Sequence, residues 1–105
     1  MKFGLDQSTL DNLISVFVKY PEIEEVFVYG SRAKGNYHLG SDIDITLKGK
    51  DISDQTRSDV WLDIDDLNTP YLFDISIYCK LTSESLLDHI DRVGKLLYKR
   101  ESKLF

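Results

Sequence analysis

Two aspartates separated by one residue, Asp42 and Asp44, are the first candidates for chemistry in this sequence. Polar and apolar side chains alternate from Asp42 to Leu47, which predicts a β-strand with both carboxylates on one face. Mg²⁺ prefers hard oxygen ligands, and in phosphate chemistry it is commonly held by one or two carboxylates together with the substrate's phosphates. The pair therefore predicts a magnesium site. Taken alone it is weak support, because most Asp residues at strand ends face solvent or cap turns.

A third carboxylate, Asp74, interrupts a later apolar run from Leu72 to Cys79 that predicts another strand. If the strands of Asp42 and Asp74 are neighbours, three carboxylates converge on one place. Without a cation their charges would repel one another strongly in a partly desolvated cleft. Asp74 also has competitors for this role on a predicted helix, namely Asp63, Asp65 and Asp66.

A Gly-Ser pair precedes the two aspartates and forms the pattern Gly-Ser-x(10)-Asp-x-Asp, with ten residues between Ser31 and Asp42. Four fixed positions of this kind match by chance in only about one such chain in a thousand. Gly30 permits a close backbone approach, and exposed N–H groups with the Ser31 hydroxyl suit an anion such as a triphosphate. The alternative is an ordinary turn. A P-loop is excluded, because Gly30 and Gly35 have its spacing but are not followed by Lys and Ser or Thr.

Two cations lie in the same turn region and could neutralise phosphate charge. Arg32 and Lys34 follow the Gly-Ser pair directly. Each has the charge that attracts phosphate, and Arg adds a bidentate geometry that Lys lacks. Either residue could equally be a solvated surface cation.

Hydrophobic periodicity predicts the elements that must position these residues. Three amphipathic helices are expected, the last of which carries His89 without any partner motif. Four short strands are also expected, and the first is an apolar run predicted to be buried on both faces. The helices begin at Asp6 or Ser8, at Ser53 with Val60, Trp61, Ile64 and Leu67 facing inward, and at Ser83; the strands are Val26–Tyr29, Asp42–Leu47, Leu72–Cys79 and Leu96–Tyr98. This order predicts an α/β (α+β) fold in which helices cover a small mixed sheet.

Length and charge limit the classes of protein that fit. A chain of 105 residues predicts one domain, residues 1–105. The net charge of −5 is opposite in sign to a nucleic-acid-binding surface, so tight nucleic-acid binding is not expected. No apolar run approaches the roughly 20 residues that span a bilayer, and no signal segment opens the chain, so a cytoplasmic protein without membrane contact is expected. The single cysteine, Cys79, is expected to be a small buried hydrophobic residue.

The segment from Val28 to Ile45 resembles the signature of the minimal nucleotidyltransferases (MNT), small members of the polymerase-β-like nucleotidyltransferase superfamily. The resemblance implies that superfamily's fold. It also implies that Asp42, Asp44 and Asp74 are catalytic and bind Mg²⁺, two ions in all, and that Gly30 and Ser31 contact the nucleotide phosphates. Arg32, Lys34 and Ser41 lie in the same signature and are further nucleotide-binding candidates. The residues that carry the resemblance are Gly30, Ser31, Arg32, Ala33, Lys34, Gly35, Ser41, Asp42 and Asp44.

The same resemblance implies a reaction and a partner. Members of the family transfer a nucleoside monophosphate, most often AMP from ATP, to a hydroxyl group and release pyrophosphate. The family often acts as the antitoxin to a helical HEPN protein encoded nearby, and the acceptor is then a tyrosine of that toxin. Two alternatives stay open at this point. One is a non-catalytic antitoxin or binding module that acts by contact, and the other is transfer to a small hydroxylated molecule.

Overall fold

The computed structural model describes residues 3–38 and 40–101 of the chain. Helices and strands follow one another in the predicted order, with one additional short helix between the first two strands. The elements are α1 (Gln7–Val18), β1 (Glu25–Tyr29), α2 (Ser31–Lys34), β2 (Ile43–Lys48), α3 (Asp54–Asp65), β3 (Phe73–Ile77), a 3₁₀ turn (Tyr78–Lys80), α4 (Glu84–Val93) and β4 (Lys95–Lys99).

The strands form one four-stranded sheet in the order β3-β2-β1-β4. β1 pairs antiparallel with both β2 and β4, whereas β2 and β3 run parallel. Parallel neighbours need a crossover connection, which α3 supplies between β2 and β3. The predicted mixed sheet with helices is therefore confirmed.

One face of the sheet forms the core together with α1 and α3. Alternate residues of β2, Ile43, Ile45 and Leu47, are fully buried, as the polar and apolar alternation predicted. Phe17 of α1 and Val60 of α3 are also fully buried and belong to the same cluster. The core face therefore holds the sheet in place, and the opposite face of β2 carries its polar side chains.

The helix ends are set by side-chain caps. The sequence offers Asp6 or Ser8 as the cap of α1, and the structure shows that it is Asp6. The Asp6 carboxylate accepts a hydrogen bond of 3.0 Å from the Thr9 amide. Leu5 and Leu10 flank this cap and are both buried, as a hydrophobic staple requires. Within the described ranges no helix is both long and apolar enough to cross a membrane.

Two expectations for individual side chains are wrong. Cys79 is exposed rather than buried, because the chain leaves β3 after Ile77 and turns, so the strand alternation no longer applies to it. Trp61 is 43% exposed, because the buried positions of α3 are Thr56, Val60 and Ile64, and Trp61 lies at the edge of that arc.

β1 meets the expectation of burial on both faces only in part. Val26 and Val28 on the core face are fully buried, and Tyr29 at the end of the strand is also buried. Phe27, which points to the opposite face, is only half-buried. That face is thus less completely covered than the core face.

The cap of α3 provides a test of this architecture. The Ser53 hydroxyl accepts a hydrogen bond of 3.1 Å from the Thr56 amide, so Ser53→Ala removes it and is expected to lower the free energy of unfolding by about 1 kcal/mol. Ser58→Ala, inside the same helix, is the matched control and is expected to be neutral or stabilising by a few tenths of a kcal/mol. Urea denaturation followed by circular dichroism measures both. Equal stability of the two variants would contradict the cap.

Candidate active site

A row of functional side chains crosses the sheet where β1 ends and β2 and β3 begin. Tyr29 is paired with Asp44 across the antiparallel strands, and Asp44 is paired with Asp74 across the parallel ones. Paired residues on neighbouring strands point to the same face. Asp42 directly precedes β2. The structure thus confirms that the strands of the first two aspartates and of Asp74 are neighbours.

The environment of Asp44 disfavours its charge. This carboxylate is half-buried, and desolvation raises its pKa above the usual range. The negative charges of Asp74 and Asp42 raise the pKa further, whereas His89 acts in the opposite direction. Asp44 is therefore close enough to both other aspartates to be repelled by them, and a cation placed beside it would relieve that repulsion.

The segment between β1 and β2 begins with a glycine whose backbone conformation would be strained for a residue with a side chain. Gly30 has φ of +73° and ψ of −155°, a backbone conformation that L-residues with side chains rarely adopt. A Cβ at this position would also lie 2.5 Å from Oδ2 of Asp44. Glycine is thus needed here both for its backbone conformation and because the Asp44 carboxylate lies against it.

α2 was not anticipated, since four residues are too few to show a helical period. It follows Gly30 directly, so Ser31 is its first residue, and Gly35 ends it with a left-handed φ of +84°. Gly30 and Gly35 therefore bracket one helical turn. Ser31 is half-buried and Lys34 is exposed.

Arg32 is buried, with 3% of its surface exposed, although the sequence proposed it as a phosphate ligand. Its Nη1 donates to the carbonyl oxygen of Phe3 and its Nη2 to that of Ser41, both at 3.0 Å. The guanidinium also lies over the rings of Tyr37 and Tyr71, at 4.5 and 5.5 Å from their centroids. Its Nε has no hydrogen-bond partner among the described residues. These contacts make Arg32 a brace between the start of the chain and the loop before β2.

Ser41 belongs to the same brace. Its carbonyl accepts from Arg32, and its hydroxyl accepts a hydrogen bond of 2.8 Å from the amide of His38. Both groups hold the loop that leads directly into Asp42. Arg32 and Ser41 thus hold this loop in position, and their predicted contact with nucleotide stays a prediction.

His89 is a member of the site that the motif search missed. Its Nε2 accepts a hydrogen bond of 3.1 Å from the backbone amide of Gly30, and its ring packs edge-to-face against Tyr29 with centroids 6.2 Å apart. The only signal in the sequence is helical spacing, which places His89 next to the buried Ile90 on α4. Helical spacing alone could not show that α4 packs over the end of β1.

The donor chemistry of this site fits Mg²⁺. Side chains of Asp42, Asp44 and Asp74 offer hard oxygen atoms near the beginning of β2 and β3. The repulsion of Asp44 by the other two carboxylates favours a cation there. Within residues 3–38 and 40–101, no three acidic, His or Cys side chains already form a group that could hold a metal ion. Such a preformed cage is not required, because Mg²⁺ in phosphate-handling sites completes its coordination with substrate phosphates and water.

Comparisons with known proteins agree with this geometry. The family model described as "Polymerase beta, Nucleotidyltransferase" matches residues 11–103. A chain of a toxin–antitoxin crystal structure with AMP-PNP is similar with a TM-score of 0.69 and 20% identity, covering 92% of this chain and 76% of that one. A chain of the complex between the tri-AMPylated HEPN toxin of Shewanella oneidensis and an MNT antitoxin has a TM-score of 0.67 and 17% identity. That match covers 91% of this chain and 74% of the other. At these identities the likeness shows the fold, which is the expected polymerase-β-like one.

A third structure is similar in size as well as in fold. A Sulfolobus solfataricus protein with a provisional nucleotidyltransferase assignment has a TM-score of 0.51 and 25% identity, and the match covers 92% of each chain. A comparison with functionally curated proteins finds no significant match.

The raised pKa of Asp44 has a consequence for stability. Because the folded-state pKa lies above the unfolded one, the charged carboxylate destabilises the folded state once the pH rises through the carboxyl range. Asp44→Asn is therefore expected to be more stable than the wild type at neutral pH, with an advantage that disappears in acid. Urea denaturation between about pH 3 and about pH 7 measures this difference.

Asp42→Asn is the matched control, because it shows whether the loss of a neighbouring carboxylate charge alone stabilises the protein at neutral pH. Asp42→Asn removes the charge of an exposed side chain and is expected to change the free energy of unfolding by no more than about 0.5 kcal/mol. If Asp44→Asn is no more stable than the wild type at neutral pH, the charge of Asp44 does not destabilise the folded state, and this prediction is wrong.

The brace formed by Arg32 is also testable. Arg32→Met leaves two carbonyls without their donors and is expected to lower the free energy of unfolding by about 2 kcal/mol. Lys34→Met, on the exposed side of α2, is expected to change it by less than about 0.5 kcal/mol. The amide NMR resonances of residues 36–38 and 40–42 should shift in the first variant and not in the second. Equal stability of the two variants would show that Arg32 does not brace the loop.

Proposed function

Because this chain belongs to the polymerase beta nucleotidyltransferase family, we propose that it transfers AMP from ATP to a hydroxyl group and releases pyrophosphate. The observation that carries this proposal is the pairing of Asp44 with Asp74, next to Asp42 and against the Gly30 turn. Carboxylates that repel one another beside an irregular, glycine-containing turn suit a site for a metal-bound triphosphate. The toxin–antitoxin structure with AMP-PNP supports an adenine nucleotide as the substrate.

The proposed roles follow from where each residue lies. Asp42, Asp44 and Asp74 would hold two Mg²⁺ ions, which when bound neutralise the carboxylates and stabilise the charge of the triphosphate. The Gly30–Ser31 turn orients the phosphates, with the Ser31 hydroxyl as a donor. Lys34 is exposed beside that turn and adds positive charge.

The transfer itself is a substitution at the α-phosphorus. A bond forms between the acceptor oxygen and this phosphorus, and the bond to the pyrophosphate oxygen breaks. Asp74 is exposed on the edge strand β3, so an acceptor hydroxyl can approach it from outside the fold. We assign Asp74 the role of accepting the proton that this hydroxyl loses.

The proposed acceptor is a tyrosine of a HEPN protein encoded nearby. Support comes from the similar complex in which a HEPN toxin is AMPylated and bound to an MNT antitoxin. Such an acceptor suits a site that opens at the edge of the sheet. The proposed compartment is the cytoplasm, where ATP is available, and the single domain over residues 1–105 stays a prediction.

A second candidate function is neutralisation of the partner by contact alone. The similar structures are toxin–antitoxin complexes, and a stable complex can block a partner without chemistry. Catalysis and contact make different demands on the aspartates, because an Asp→Asn change keeps the shape of the surface but removes the charge that catalysis needs. Asp→Asn variants therefore distinguish catalysis from contact.

The test is transfer of label from ATP radiolabelled at the α-phosphate, with Mg²⁺ and the HEPN protein encoded nearby. Label on a partner tyrosine is expected with the wild type. Asp42→Asn and Asp44→Asn are each expected to reduce it by at least about 100-fold, since both carboxylates act in the transition state. Asp66→Asn, an exposed carboxylate at the end of α3, is the control expected to keep wild-type labelling.

Each outcome decides between the candidates. Full labelling by Asp44→Asn would contradict the proposed site. Absence of label with the wild type, together with a stable complex that survives both substitutions, would favour neutralisation by contact. Loss of activity through unfolding is separated by circular dichroism, since Asp44→Asn is expected to be the more stable protein.

A further inference from the structure

We propose that His89 is a positioning residue of the nucleotide site, because its imidazole holds the backbone amide of Gly30 and thereby fixes the Gly30–Ser31 turn against Asp44. The hydrogen bond from the Gly30 amide to Nε2 of His89 is 3.1 Å long and partly buried. It joins residues 59 positions apart in the chain. This inference rests on the proposed nucleotide-binding function.

The turn needs an anchor of this kind. The carbonyl of Gly30 is held locally, since it accepts a hydrogen bond of 3.1 Å from the amide of Lys34 within α2. Its amide lies just beyond the last residue of β1, and a buried amide without a partner is costly. With His89 as the partner, both polar backbone groups of Gly30 are fixed. A glycine at φ of +73° would otherwise have many accessible conformations.

The imidazole is itself held in place. Its ring packs edge-to-face against Tyr29, with an interplanar angle of 78°, and it is half-buried between α4 and β1. Nε2 can accept only if it carries no proton, so in the neutral ring the proton is on Nδ1. One side chain of α4 thus contacts both the last residue of β1 and the Gly30 amide that follows it.

The bond assigns different roles to the two residues of the turn. The Gly30 amide already has a partner, so the proposed phosphate donor of this pair is the Ser31 hydroxyl. Gly30 contributes shape, by letting the backbone pass close to Oδ2 of Asp44. Loss of the His89 contact should then misplace Ser31 relative to Asp44 and weaken nucleotide binding.

Two substitutions of His89 separate its acceptor atom from its packing. His89→Phe keeps a ring against Tyr29 but cannot accept a hydrogen bond. His89→Gln loses the ring but offers an amide oxygen that can take the place of Nε2. The measurements are the chemical shift and hydrogen exchange of the Gly30 amide by NMR, and the affinity for AMP-PNP with Mg²⁺ by calorimetry.

We expect His89→Phe to lose protection of the Gly30 amide and affinity for AMP-PNP, and His89→Gln to restore both. In His89→Phe the Gly30 amide should shift and exchange faster, and AMP-PNP should bind about tenfold more weakly, the effect of one lost buried hydrogen bond. In His89→Gln the Gly30 amide should stay protected, and affinity should return to within about threefold of the wild type.

Three outcomes would overturn the role of His89. A Gly30 amide that is unchanged in His89→Phe would show that the bond does not exist. A changed amide with unchanged AMP-PNP affinity would make the contact merely structural. AMP-PNP affinity that is kept in His89→Phe but lost in His89→Gln would assign the effect to ring packing. Failure of the wild type to bind AMP-PNP is a different result. It would refute the proposed function itself, and with it the role of His89 in nucleotide binding. The Gly30 amide resonance would still report whether the hydrogen bond to His89 forms.

Discussion

The parallel pairing of β2 with β3 is the constraint on which the rest of the site depends. It places Asp44 beside Asp74, and its register is held by the buried pair formed by Ile45 and Ile75 on the other face. A slip by one residue would move the apolar side chains to the outer face, so the core strongly disfavours it. The same core contacts that stabilise the fold therefore hold two negative charges together.

The cost of that arrangement is visible at Asp44, whose charged form is disfavoured by burial and by its acidic neighbours. A structure selected for stability alone would place an apolar or neutral residue at this position. Strain of this kind is typical of functional sites, because a group that is poorly solvated on its own interacts strongly with an incoming ligand of opposite charge. Here that ligand would be a divalent cation brought in with a nucleotide.

Two side chains, of His89 and Arg32, keep the loop between β1 and β2 in position around these carboxylates. At its start, the Gly30 amide is held by His89 from α4. At its end, the carbonyl of Ser41 is held by Arg32, which also reaches back to the carbonyl of Phe3. Both contacts use polar side chains on backbone groups, which suits a loop with little apolar surface of its own. The loop that contains the proposed nucleotide-binding turn is thus fixed at both ends.

The sequence by itself determined the longer helices and the strands and pointed to the candidate site residues, because both depend on local patterns. Alternation around Ile43 and Ile45 predicted β2, helical spacing predicted α1, α3 and α4, and the Gly30–Ser31 and Asp42–Asp44 spacing identified the candidate site. The tertiary structure alone decided which long-range partners those residues have. The burial of Arg32 and the contact of His89 with Gly30 depend on how distant segments pack, and no local period encodes that packing.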